Sequence, residues 1–136
     1  MVSKVIVTAS AAFFLALGIG LDFLPQEIAA RVGLGATPMA ATLLQVLAAA
    51  FLGMGFLNWF SKANPMGGIY SRPLALQNFL CFGVGAVTLD RAASHGAVPK
   101  TVLAAAVAFT AFALAFGWLM FFHDPTAKAR QDSSPS

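Results

Sequence analysis

Charge is scarce in this chain. Only 10% of its 136 residues are charged, against 59% hydrophobic, and the mean hydropathy is +0.80. A water-soluble domain carries roughly 25% charged residues. A surface drawn from this composition cannot be covered with polar groups, so lipid is the solvent it fits. Cysteine is almost missing: Cys81 is the single one, which excludes an intrachain disulfide and an all-cysteine metal site. Histidine is limited to His95 and His123. The net charge is only +3, and the basic residues stand at the ends of apolar runs, not in a patch with interleaved aromatics. That argues against a nucleic-acid partner.

What is present is long apolar sequence. Four runs are free of charge: 5–21, 32–61, 73–89 and 101–122. A helix rises about 1.5 Å per residue and a hydrocarbon core is about 30 Å thick, so a span needs about 20 mostly apolar residues. All four runs qualify once their flanks are included, and they predict helices over about 4–24, 38–61, 72–91 and 100–122. Strands fit poorly: the runs are rich in Ala and Leu, do not alternate, and are too few to close a barrel in lipid. The expected fold is all-α, a four-transmembrane-helix bundle in one domain (1–124), with a polar, disordered tail over 125–136 beyond Pro125. The first run also has features of a secretory signal, with Lys4 before an apolar core and small Gly18 and Gly20 after it. Its core is long, which favours an uncleaved first helix.

Orientation follows from Lys and Arg in the short loops. With the N-terminus cytoplasmic, five lie inside (Lys4, Lys62, Arg72, Lys128, Arg130) and three outside (Arg31, Arg91, Lys100). This favours both termini in the cytoplasm of a bacterial inner (plasma) membrane, with Trp59, Tyr70 and Trp118 near the inner interface. Between the first two spans lies "LPQEIAARVGLG". Pro25 suits a first helical turn, Glu27 and Arg31 form a favourable i,i+4 pair, and Gly33 or Gly35 can end the turn. This predicts a short amphipathic interfacial helix, with an irregular polar loop as the alternative.

Helices associate in lipid through close packing of small residues and through interhelical hydrogen bonds. Residues spaced three or four apart give such stripes: Thr8, Ala11, Leu15, Gly18 and Asp22 on the first span; Thr42, Gln45, Ala49 and Gly53 on the second; Asn78, Cys81, Gly85 and Thr88 on the third; Ala106, Thr110, Ala113 and Gly117 on the fourth. Phe109, Phe112 and Phe116 then point away, toward lipid or a partner. At the outer ends, Asp22 and Arg91 are candidates for an ion pair, with two independent surface charges as the plainer alternative.

Candidate chemistry is thin. His95 and His123 fall on opposite sides of the membrane in this topology, so one chain cannot join them on an ion or haem. No metal or other cofactor is expected. Cys81 has no histidine at its depth and so no base. "GMGFLN" and "GVGAV" lack the strand-turn-helix context and the lysine of a phosphate loop. The span middles are neutral, whereas ion-coupled transport usually places an acid or base there.

One stretch gathers polar side chains: "NWFSKANPMGGIYSRPLALQN", residues 58–78. Pro65, Gly67 and Gly68 make a turn and Pro73 suits a helix start, so the second and third spans should be antiparallel neighbours. Asn58 then approaches Gln77 and Asn78, with Arg72 above them. These four residues are the candidate site for a lipid headgroup, a polar ligand or a partner protein. A self-satisfied hairpin clamp is the plainer reading and the favoured one. The wider pattern "FLGMGFLNWFSKANPMGGIYSRPLALQN" resembles the centre of small uncharacterised four-helix bacterial integral membrane proteins: GxG, an Asn near the helix end, a Gly-rich turn, then Arg-Pro. The resemblance spans the middle of the chain. It implies the architecture and no activity, and it assigns no functional residues.

The expected function is therefore non-catalytic: an accessory or assembly subunit, or a scaffold binding membrane lipid or another membrane protein. The chain would act within a larger membrane complex or as a homo-oligomer. An oligomeric transporter or channel for a small solute is the alternative. A lipid-modifying enzyme is a third, and needs the inner polar cluster to act with a partner.

Overall fold

The structure is a computed structural model that describes residues 2–63 and 71–122. Pro65, Gly67, Gly68, Tyr70, His123 and the 125–136 tail lie outside the described residues. Those described form five helices and no strand: α1 (Val2–Phe23), α2 (Pro25–Arg31), α3 (Pro38–Ser61), α4 (Ser71–Ser94) and α5 (Lys100–Phe122). Four of them, α1, α3, α4 and α5, are long and apolar enough to cross a membrane.

The helix boundaries have local causes. Pro25 pushes Leu24 out of the helical region (φ −125°, ψ 45°), which ends α1, and then occupies the first turn of α2. Gly33 closes α2 at φ +83°. Its N–H donates to Ala30 O, and the Leu34 N–H donates to Ala29 O at 2.9 Å. This is the left-handed glycine stop that takes up the last free carbonyls of a helix. Thr37 caps α3: its hydroxyl oxygen accepts from Ala40 N at 3.2 Å, with Pro38 just inside. Thr37→Ala should cost about 1 kcal/mol of stability, measured by unfolding in detergent, while Thr37→Asn should retain most of it. α4 runs three residues past the 91 expected from the sequence. There the Ser94 hydroxyl donates to Arg91 O and helps finish the turn.

The helices pack as two antiparallel pairs, α1 with α3 and α4 with α5, with α2 folded against α3 and α1. In the first pair the contact is reciprocal. Gly18 lies against Leu52, and Gly55 lies against Leu15. Each helix thus presents a Leu-x-x-Gly step whose leucine fills the notch at the other's glycine. In the second pair Gly85 faces Phe109 and Gly117 faces Phe79.

Aromatic rings join the two pairs. Phe82 of α4 is fully buried. It stacks on Phe14 of α1 (centroids 4.5 Å apart) and on Phe112 of α5 (4.7 Å), and meets Phe109 edge-on at 5.4 Å. Phe51 of α3 stacks on Phe14 at 5.4 Å. Ring pairs at these separations contribute about 0.5–1.5 kcal/mol each beyond the area they bury.

This core corrects the expected stripes. Phe109 and Phe116 are buried and Phe112 packs against the core, so the aromatic stripe of α5 points inward. On α3 the buried face is Ala41, Leu44, Ala48, Phe51, Gly55 and Asn58, one position away from Thr42, Gln45 and Ala49. Gly53 opens to empty space. On α1 the buried face is Val7, Ser10, Ala11, Phe14, Gly18 and Leu21, which keeps only Ala11 and Gly18 of the expected set. The reason is size. A small residue makes room for a large one on the neighbouring helix, so the packed face contains both.

Candidate functional site

The polar centre is built from three helices. Ser10, Asn58 and Asn78 are each 0% exposed. They sit on α1, α3 and α4, one turn from the aromatic layer, since Asn78 precedes Phe82 by four residues. Asn58 Nδ2 donates to Asn78 Oδ1 at 2.7 Å, and Asn78 Nδ2 donates to Asn58 Oδ1 at 2.8 Å. The two amides therefore form a closed reciprocal pair. The second N–H of Asn58 donates to Ser10 Oγ at 3.0 Å, and the Ser10 hydroxyl donates onward to Val7 O at 2.8 Å. Asn78 Nδ2 also donates to Leu74 O at 2.9 Å. Among the described residues no buried side-chain nitrogen or oxygen lacks a partner.

Of the four residues the sequence put forward, the structure brings Asn58 and Asn78 together. Gln77 is half-buried and takes no part in the pair, because one residue along a helix turns a side chain by about 100°. Arg72 is exposed, almost two turns from Asn78 along α4. Ser10 completes the network and was not among the sequence candidates. α3 and α4 run antiparallel and meet through side chains, here and where Cys81 lies 3.7 Å from Met54 sulfur to sulfur. Their closest backbone neighbours are α1 and α5 respectively.

Measured against known proteins, the chain matches no family model, no curated protein and no solved structure. What it can do rests on its own geometry. Chemically, the Ser10–Asn58–Asn78 network is complete. Among the described residues its donors and acceptors are met by one another and by the Val7 and Leu74 carbonyls. Among the described residues, no three His, Cys, Asp or Glu side chains converge as metal ligands would.

Further interhelical polar contacts lie toward the opposite end. The Asp22 carbonyl accepts from Gln45 Nε2 at 3.4 Å, at the long limit of a hydrogen bond. The Asp90 carboxylate accepts from the Thr110 hydroxyl at 3.2 Å, linking α4 to α5. Asp22 and Arg91 are both exposed and form no ion pair: α1 and α4 meet through the Phe14 and Phe82 rings at mid-bundle, while their backbones pack closely on α3 and α5 respectively. A double-mutant cycle on Asp22→Asn and Arg91→Gln should accordingly be additive within about 0.5 kcal/mol. A larger coupling, read from unfolding in detergent, contradicts this placement.

Proposed function

We propose that the chain is a four-helix bundle that crosses a bacterial inner membrane four times, with both termini cytoplasmic. In this reading it has no catalytic activity of its own. It serves as an accessory or assembly subunit, or as a scaffold that binds lipid or another membrane protein. The observation that carries the reading is an inverted distribution of polarity. The fully buried side chains include Ser10, Asn58 and Asn78, while Val46 (65% exposed), Val84 (65%), Val107 (64%) and Leu114 (71%) face outward from mid-helix. In water such a surface would drive aggregation; against acyl chains it is at rest. The hydroxyls on these helices are also shielded from lipid. Thr8, Thr42 and Thr88 each donate to the carbonyl one turn back in their own helix.

The closed amide network supports a structural role for the polar centre. A transporter needs polar groups that exchange partners with a solute, and these are occupied by each other. The exposed apolar faces supply the contact surface a subunit or scaffold requires. Purification in mild detergent tests the proposal. A stable complex with a second membrane protein or a retained lipid is the expected result. A symmetric homo-oligomer with a polar axial path would favour the transporter or channel instead.

A further inference from the structure

The two ends of the molecule differ in charge. Antiparallel packing gathers the start of α1, the end of α3, the start of α4 and the end of α5 at one end. The charged residues described there are Lys4, Lys62 and Arg72, with no acid among them. At the other end Arg31, Arg91 and Lys100 are offset by Asp22, Glu27 and Asp90. The cationic end also holds both tryptophans of the chain, Trp59 and Trp118, each close to half exposed. The Lys62 ammonium stands 2.9 Å from the centroid of the Trp59 ring. Cation and ring are thereby held as one unit, with an apolar body and a charged tip.

We infer that this end is a docking surface for anionic phospholipid headgroups, with Lys4, Lys62 and Arg72 meeting the phosphates and Trp59 and Trp118 lying at the boundary with the acyl chains. The inference rests on the membrane reading above and names the lipid class that its cationic face selects. Three features fit lipid better than free phosphate. The cations come from three separate elements: Lys4 from α1, Lys62 from the C-cap of α3 and Arg72 from α4. They are interleaved with exposed apolar surface, Phe60 at 72% included. And rings such as Trp59 and Trp118 favour the interface between headgroup and hydrocarbon. Each Lys or Arg near an anionic leaflet strengthens attraction by about fivefold. Three together should give a preference well above the zwitterionic background.

The tryptophans are also the reporters. The full chain is reconstituted in phosphatidylcholine vesicles that contain an equal fraction of brominated phosphatidylglycerol or of brominated phosphatidylcholine, and the quenching of tryptophan fluorescence is compared. The anionic lipid should quench several-fold more effectively. The combined variant Lys4→Gln, Lys62→Gln and Arg72→Gln should bring the two lipids to parity, and Lys4→Gln alone should have a partial effect. Equal quenching in the unsubstituted protein overturns the inference, as does a preference that survives the combined variant. Loss of the preference in inorganic phosphate, but not in sodium chloride of matched ionic strength, overturns it in favour of a free-phosphate site. No quenching by either lipid contradicts the membrane reading itself, and the inference with it.

Discussion

Asn58→Leu should destabilise the protein by about 1–3 kcal/mol, more than the value of any one hydrogen bond it removes. A single interhelical hydrogen bond between membrane helices averages only about 0.6 kcal/mol. The larger effect comes from what is left behind. Asn78 keeps a buried amide whose oxygen and nitrogen have lost their reciprocal partner, and Ser10 Oγ loses its donor. Leucine has the branching of asparagine but bulkier methyl ends, so a smaller steric cost adds to the polar one. Asn78→Leu should behave alike, for the same reason seen from α4. The double variant Asn58→Leu, Asn78→Leu should be more stable than the two single costs predict, because an apolar pair replaces an orphaned amide. Unfolding in mixed detergent micelles reads all three. If the single costs simply add, the two amides do not act as a pair.

The second large effect is steric. A Cβ at Gly55 would lie 2.7 Å from Leu15 Cγ and 3.0 Å from the Leu15 backbone nitrogen, and one at Gly18 would meet Leu52 Cγ and its nitrogen at the same distances. Backbone cannot step aside as a side-chain tip can. Gly55→Leu and Gly18→Leu should therefore each force α1 and α3 apart, at about 1–3 kcal/mol or more. Gly85→Leu should do the same to α4 and α5 by colliding with the Phe109 ring. Gly53→Leu is the internal control. Nothing lies within 4 Å of the Cβ it would add, so its stability should stay within about 0.5 kcal/mol of the parent. A costly Gly53→Leu together with a tolerated Gly55→Leu would mean that α3 is rotated from the face described here.

The contrast between Gly53 and Gly55 also shows how far the sequence could be read. Helix positions were legible because charge bounds each apolar run, and α2 was legible because Pro25, the Glu27–Arg31 spacing and Gly33 are local signals. The meeting of Asn58 with Asn78 was legible from the short connection between α3 and α4. The buried faces were not. In water a polar stripe marks the outside, but in lipid both faces of a helix are apolar, so composition gives no direction. Choosing small residues alone selected Gly53 over Gly55 and sent Phe109 and Phe116 outward, although rings and glycines pack against one another. Ser10 was missed because one hydroxyl among apolar neighbours carries no pattern. Asp22 and Arg91 stand at the same end of the molecule but form no ion pair, because α1 and α4 meet through rings at mid-bundle and not through closely packed backbones, and sequence order does not say how closely two helices approach.

The central proposal, that α1, α3, α4 and α5 cross the membrane with both termini inside, is tested most directly by labelling from one side. Cys81 is first replaced by alanine, and single cysteines are then placed at Ser61, the end of α3, and at Ser94, the end of α4. Intact cells are treated with a maleimide that cannot cross the membrane. Ser94→Cys should label at once, and Ser61→Cys only after the cells are permeabilised. Labelling of Ser61→Cys alone would reverse the orientation, and equal labelling of both before permeabilisation would contradict the membrane-spanning arrangement.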